Sequence, residues 1–175
     1  MNTYIRFTER LSNFLGIVAA VLLVVAVVIV CHMVFVRFVL EGSTSWQTEF
    51  VSYTLIASTF LGSPYVLLRR GHVFVELFPM MLGNRGRFYL ALFAYGASAL
   101  FCILLTWLSF MFWHEAWTEN WRSDSVWEPE LWKAYLSMPV GFAAISLQYI
   151  ADILCLLSGR EMPFGLDKVN ASELE

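Results

Sequence analysis

Four long apolar runs alternate with short polar segments along the chain. They cover residues 14–36, 50–68, 88–113 and 134–157, and the only formally charged residue inside them is Asp152 in the last. About 20 helical residues, each rising about 1.5 Å, cross a hydrocarbon core of about 30 Å. None of the runs alternates apolar and polar residues as the strands of a membrane barrel do. The pattern therefore predicts an all-α fold, an integral membrane bundle of four transmembrane helices.

The first run has a competing interpretation as a secretory signal peptide, since Arg6 and Arg10 precede it. The apolar part of a signal peptide is about 7–15 residues long and ends at a small-residue cleavage site. The run 14–36 is longer, and no such site follows it. We therefore interpret it as a membrane span.

The Lys and Arg residues of the connections predict the orientation of the bundle, because cytoplasmic loops carry an excess of them. Only Arg37, Arg122 and Lys133 fall on the side predicted to be extracytoplasmic. The other eight predict that both termini are cytoplasmic: Arg6, Arg10, Arg69, Arg70, Arg85, Arg87, Arg160 and Lys168. Residues 1–160 are thus expected to form a single transmembrane domain, and the polar stretch 161–175 a loose cytoplasmic tail.

Composition agrees with a membrane protein and offers little chemistry. Hydrophobic residues make up 59% of the chain and charged residues 14%, where a soluble domain carries about a quarter charged residues. The net charge of −3 includes no basic run that would indicate nucleic acid. Cys31, Cys102 and Cys155 lie in apolar runs without CxxC spacing, so we interpret them as small apolar residues.

A bound cofactor or metal is not predicted. Haem in a membrane bundle needs axial ligands at matching depth on facing helices. His32, His72 and His114 fall at different predicted depths, in span one, in the cytoplasmic loop and at the far end of span three. We therefore predict no catalytic, cofactor-binding or metal-binding residue.

Three ionisable residues lie in or next to the spans and require an explanation, because an intramembrane charge is a functional hypothesis by default. Arg37 and Glu49 either pair across the 38–48 connection or extend separately to the headgroups. Asp152 either reaches the cytoplasmic interface or meets a positive group on another helix or a partner. Three such residues are too few for a transport pathway within this chain.

Small residues at four-residue spacing predict close helix packing, as at Ser58 and Gly62. Pro64 is expected to kink the second span, and Pro139 with Gly141 the start of the fourth.

Tryptophans are concentrated on the predicted extracytoplasmic side, which is also rich in acidic residues. Two interpretations are open: a belt at the headgroup level, or a docking surface for an extracytoplasmic partner. Trp113, Trp117 and Trp121 are four residues apart, so these three share one face if the third helix continues outward. The five are Trp113, Trp117, Trp121, Trp127 and Trp132.

One ordered set of motifs is more specific. Trp46-Gln-Thr-Glu49 begins the second span, and Thr59-Phe-Leu-Gly62 lies inside it. Further motif residues follow the second span and open the fourth: Arg69, Arg70, Gly71, His72, Val73, Glu76, Pro139 and Gly141. On a four-span chain this combination resembles the small membrane subunit (DctQ-like) of tripartite ATP-independent periplasmic (TRAP) transporters. The family often has two acidic residues after the tryptophan, whereas Thr48 precedes Glu49 here.

The resemblance implies a non-catalytic subunit of the bacterial inner membrane. It implies two partners: a large multi-span subunit that holds the substrate and sodium sites, and a periplasmic binding protein that delivers a carboxylate-bearing solute. Within that family this chain would be a scaffold, held at constant depth by interfacial tryptophans and by the arginines of the 69–87 connection. The motif residues are then candidates for subunit contacts or structural roles, together with Arg37 and Asp152.

Two alternatives remain open beside this one. A membrane redox subunit such as a cytochrome-like anchor would show a Soret absorption band. A general accessory membrane protein would keep the topology but have neither a binding protein nor a link to sodium. The sequence does not encode the identity of the solute.

Overall fold

The protein is built from α-helices throughout the part that the structure, a computed structural model, describes, which is residues 2–69 and 84–158. The helices are α1 (Asn2–Val39), α2 (Ser45–Leu68), α3 (Asn84–Thr118), α4 (Leu131–Tyr135) and α5 (Ser137–Leu157). Four stretches are long and apolar enough to cross a membrane, with α4 and α5 together forming the fourth. The prediction of four transmembrane helices is therefore confirmed. Residues 70–83 and the predicted tail 161–175 lie outside the described residues.

Three of the helices extend beyond the apolar runs that predict them. α1 begins at Asn2 rather than at residue 14, α2 at Ser45 rather than at residue 50, and α3 continues to Thr118. A helix does not stop where a sequence becomes polar, because Glu and Arg are good helix formers. The extension of α1 matters for packing, since Thr8 and Ser12 are fully or almost fully buried.

The helix α5 lies at the centre of the bundle and packs against α1, α2 and α3. One face of it carries mostly small buried residues at spacings of three or four, so that neighbouring backbones can come close. These residues are Ser137, Gly141, Ala144, Gln148, Ala151 and Cys155. The helix α3 packs mainly on α5 and so lies at one edge of the bundle.

The predicted close contact at Ser58 and Gly62 is confirmed, and its partner is α1. Ser58 Oγ donates a hydrogen bond of 2.9 Å to the Ala19 carbonyl. A Cβ atom placed on Gly62 would lie 3.3 Å from the Cβ of Ala19. On the other side of this interface, Gly16 leaves room for the ring of Tyr65, which a Cβ would approach to 2.5 Å. Small residues on both helices thus set the α1–α2 distance.

Neither proline ends the helix that contains it. The division between α4 and α5 falls at Leu136, where the backbone stays helical with a φ of −56° and a ψ of −29°. The Leu136 amide still donates to the Trp132 carbonyl at 3.0 Å and the Val140 amide to the Leu136 carbonyl at 3.4 Å, so the kink expected at Pro139 stays a prediction. Proline has no N–H, so the carbonyl of Tyr135 loses the donor four residues later. The helix α2 likewise continues past Pro64 as one element to Leu68.

Candidate subunit-interaction site

The two ends of the bundle differ in the groups that they present. We call the end where α1 and α3 finish the hairpin end, because the 119–130 segment between α3 and α4 lies there, and we call the other the terminal end. α3 ends at Thr118, and the chain turns back at Asn120, whose φ is 50°. Asparagine tolerates this left-handed conformation better than most residues. The amide of Trp121 then donates to the Ala116 carbonyl at 3.0 Å.

This turn corrects the expectation that three tryptophans share one helix face. Trp113 and Trp117 do stack on α3, with ring centroids 5.6 Å apart and planes 19° apart. Trp121 lies past the end of the helix and packs edge-on against Phe112 instead, at 5.6 Å. The spacing of four gives a shared face only while the helix continues.

The segment after Trp121 folds into a short hairpin. Arg122 and Glu130 form an isolated antiparallel bridge, and the Ser123 amide donates to the Pro129 carbonyl at 3.2 Å. The Glu128 amide donates to the Ser125 carbonyl at 3.1 Å, which closes a four-residue turn, and Glu128 has a φ of 45°. We call residues 122–130 the 122–130 hairpin.

Lys133 fixes the last residue of this hairpin. Its ammonium lies 2.9 Å from a carboxylate oxygen of Glu130. The hydrogen bond from Lys133 and its positive charge hold the pKa of the Glu130 carboxyl below its usual value. The same ammonium lies 5.6 Å from the ring centroid of Trp132.

Glu49 joins α2 to the hairpin. Its Oε1 accepts a hydrogen bond of 3.1 Å from Ser123 Oγ. In the part of the chain that the structure describes, Glu49 and Arg37 form no ion pair; Arg37 lies exposed in the last turn of α1. The structure therefore does not show the pairing of Arg37 with Glu49, and the extension of each residue to the headgroups stays a prediction.

Two oxygens at the start of α2 are buried without a hydrogen-bond partner among the described residues. They are Gln47 Oε1 and Glu49 Oε2. A buried polar atom without a partner lowers stability by about 1–3 kcal/mol. Most such atoms in proteins are bonded to other protein groups or to ordered water.

Aromatic rings connect three elements at the hairpin end. The Trp46 ring lies 6.3 Å from His32 on α1 and 6.3 Å from Trp127 in the hairpin, measured between centroids. Trp113 Nε1 donates to the Trp132 carbonyl at 3.1 Å and so links α3 to α4. All five of the predicted tryptophans, and Trp46, therefore lie at this end.

The terminal end contains a buried polar network. Ser12 Oγ donates to Gln148 Oε1 at 3.1 Å, and Gln148 Nε2 donates to Asp152 Oδ1 at 3.1 Å. Nearby, the Tyr4 hydroxyl donates to the Leu147 carbonyl at 3.1 Å. Asp152 is thus hydrogen-bonded to a neutral amide of its own helix, which in turn is bonded to α1.

The helices α2 and α5 approach each other closely at Gly141. A Cβ atom placed on it would lie 2.5 Å from the carbonyl oxygen of Phe60 and 2.8 Å from the carbonyl carbon. Phe60 is four residues before Pro64, so this carbonyl lacks its helical donor. Only the absence of a side chain at Gly141 lets the two backbones come this close. Phe60 and Phe142 add an edge-on ring contact at 5.3 Å.

The remaining candidates lie apart from these contacts. Arg69 is exposed, with its guanidinium carbon 5.3 Å from the ring centroid of Tyr65. Pro139 is buried at the start of α5. Arg70, His72 and Glu76 lie outside the described residues.

The sequence analysis identified the candidate residues but not the residues to which they are hydrogen-bonded. Ser123 and Ser12 are single serines whose importance depends on distant residues, 74 and 136 positions away along the chain. Gln148 did carry a signal, because it lies four residues before Asp152 on the same helix face. Phe60 carried one as well, since Pro64 identifies the carbonyl that loses its donor.

The bond between Ser123 and Glu49 gives a direct prediction. Replacing Ser123 by alanine is expected to loosen the 122–130 hairpin from α2, because the Glu49 carboxylate loses its hydrogen-bond donor. A loss of about 1 kcal/mol corresponds to roughly fivefold faster local amide exchange. Hydrogen exchange of residues 119–130 would measure it. The control is Ser52→Ala, whose hydroxyl bonds only to Thr48 on its own helix; equal exchange in both variants would contradict the prediction.

Comparison with known proteins extends these observations. The family model described as "Tripartite ATP-independent periplasmic transporters, DctQ component" matches residues 26–159, more than half of the chain. No curated protein and no solved structure matches the chain. The matched range includes the start of α2 with Trp46 and Glu49, the 122–130 hairpin and all of α5. The chain therefore belongs to the DctQ family, the small membrane component of tripartite ATP-independent periplasmic transporters.

Proposed function

We propose that this chain is the non-catalytic scaffold subunit of a TRAP transporter. In this proposal it holds a large, sodium-coupled membrane subunit during uptake of a carboxylate-bearing solute, which a periplasmic binding protein delivers. Four apolar helices and membership of the DctQ family make it an integral protein of the bacterial inner membrane. The scaffold role, the sodium coupling and the class of solute go beyond family membership and are our proposal.

The observation that carries the proposal is how the described spans distribute their polar groups. Ser12, Gln148 and Asp152 are bonded to one another inside the bundle. The outward face of α3 is apolar and aromatic instead, as at Phe93 and Trp107, which are 75% and 65% exposed. On α2, the exposed hydroxyls of Ser52 and Thr59 donate to carbonyls of their own helix. A solute path would need polar groups aligned through the membrane. An apolar, aromatic outer surface suits packing against lipid and another membrane protein.

Rigidity supports the same role. A moving transport domain needs a wall that keeps its shape, and three of the long helices are closely joined at glycines. Gly16 and Gly62 join α1 to α2, and Gly141 joins α2 to α5. Where backbones come this close, the helices have little freedom to slide.

We further propose that the terminal end is cytoplasmic. Arg6, Arg10 and Arg69 are exposed at that end, in agreement with the excess of Lys and Arg in cytoplasmic segments. The hairpin end, with its tryptophans and carboxylates, would then face the periplasm. Labelling of a single cysteine introduced at residue 126 in intact spheroplasts tests this orientation.

Purification and transport together test the proposed function. A mild-detergent pull-down of this chain from native membranes is expected to recover one large multi-span protein in about equal amount. Proteoliposomes that contain both chains, given the binding protein and its solute, should take up solute only with an inward sodium gradient. Vesicles that lack this chain should lose most uptake. Recovery of the chain alone, or with a haem or quinone enzyme, would contradict the proposal.

A further inference from the structure

The tip of the 122–130 hairpin combines full exposure with an apolar side chain. Val126 is 93% exposed, and Trp127 beside it is 43% exposed. Both occupy the central positions of the turn that the Glu128 amide closes on the Ser125 carbonyl. A single exposed valine on a surface has no special meaning. Here the valine lies at the apex of a hairpin that the rest of the protein holds in place.

Contacts on both sides hold this tip in one conformation. Ser123 is bonded to Glu49 of α2, and the Trp127 ring packs on Trp46 of the same helix. The Trp127 amide donates to Ser125 Oγ at 3.3 Å, inside the turn. A preformed loop binds a partner without the cost of ordering that a flexible loop has.

The charges around the tip restrict what can bind it. Residues 119–130 include four carboxylates and one basic residue. Asp124 and Glu128, two positions before and after Val126, are exposed, and within the described residues neither side chain has a hydrogen bond or ion pair. An acidic tip is repelled by anionic lipid headgroups. It attracts a protein surface that carries Lys and Arg.

We propose that the Val126 tip is the contact by which this chain docks the periplasmic binding protein. The surface that it fits is an apolar socket with lysine or arginine residues at its rim. Val126 fills the socket, while Asp124 and Glu128 pair with the rim. The inference rests on the proposed function, since it requires the hairpin end to face the periplasm and a binding protein to be present.

Binding kinetics of the intact complex test it. The two membrane chains are purified together in nanodiscs, and the binding protein is passed over them in biolayer interferometry at several NaCl concentrations. Val126→Ser is expected to weaken binding roughly tenfold, because burial of the valine is lost. The double variant Asp124→Asn/Glu128→Gln should slow association about threefold to tenfold at low salt and reduce its salt dependence.

Matched controls come from the end of α1 and the connection that follows it, at the same end of the bundle. Val39→Ser repeats the valine change and Glu41→Gln removes one carboxylate, both at residues that are also exposed, and both should bind like the unmodified complex. Equal binding of all variants, or equal losses in the variants and their controls, would overturn the docking contact. In that case, an intact complex that still performs sodium-driven uptake would leave the proposed function standing. Failure to recover the large subunit would contradict the proposed function itself.

Discussion

Alanine in place of Gly141 is expected to force α5 away from α2 and to lower the stability of the bundle strongly. The new Cβ would lie 2.5 Å from the Phe60 carbonyl oxygen. This atom belongs to a helix backbone, so no side-chain rotation can relieve the clash. Overpacking of this kind costs about 1–3 kcal/mol, and we expect the upper part of that range. Thermal unfolding in mild detergent, followed by tryptophan fluorescence, would measure the effect.

Gly96 provides the matched control for this experiment. It lies in α3, and a Cβ placed on it would meet nothing within 4 Å. Gly96→Ala should therefore leave the unfolding temperature unchanged or raise it slightly, since alanine is the better helix former. Gly62→Ala, with a contact of 3.3 Å to a side chain, should fall between the two. If Gly141→Ala unfolds at the same temperature as Gly96→Ala, the close contact of α2 and α5 is wrong.

The second large effect is expected from Gln148→Leu. This change removes the acceptor of Ser12 and the amide donor that faces Asp152, so a carboxyl group inside a membrane span loses a hydrogen bond. Interhelical hydrogen bonds in membranes average about 0.6 kcal/mol, and loss of a partner to a buried polar group costs about 1–3 kcal/mol. We expect a total loss of about 1–3 kcal/mol, measured by the same unfolding experiment.

A double-mutant cycle with Ser12→Ala separates the network from simple loss of packing. Ser12→Ala alone should cost less than Gln148→Leu, because the bond to Asp152 is retained. Added to Gln148→Leu, it should cost almost nothing more, since the Ser12 hydroxyl has already lost its acceptor. Full additivity of the two changes would show that Ser12 and Gln148 do not interact.

Local sequence patterns predicted most of the fold correctly. Four apolar runs of sufficient length predict four spans because the hydrocarbon core accepts only segments that satisfy their own backbone hydrogen bonds. The motif at Trp46 and Glu49 likewise indicated the family before any contact was known. Pro139 identified the Tyr135 carbonyl as one that loses its helical donor, since a missing N–H acts on a carbonyl four residues earlier.

Helix ends were less predictable, because a helix does not end where its run of apolar residues ends. The extension of α1 to Asn2 brings Tyr4, Thr8 and Ser12 into the bundle. The end of α3 at Thr118 separates Trp121 from Trp113 and Trp117. Hydropathy predicts neither the start of α1 nor the end of α3, since polar residues can continue a helix as well as end it.

The sequence by itself determined that this chain has four membrane spans and belongs to the small-subunit family of a transporter. These properties follow from the composition of single segments, which the bilayer selects one at a time. Tertiary structure decided which groups meet: Glu49 with Ser123 rather than Arg37, Gln148 with Ser12, and Gly141 with the Phe60 carbonyl. The physical reason is that hydrogen bonds and close packing act over a few ångströms. Which residues come within that range depends on how whole helices pack, and the order of residues along one helix does not specify it.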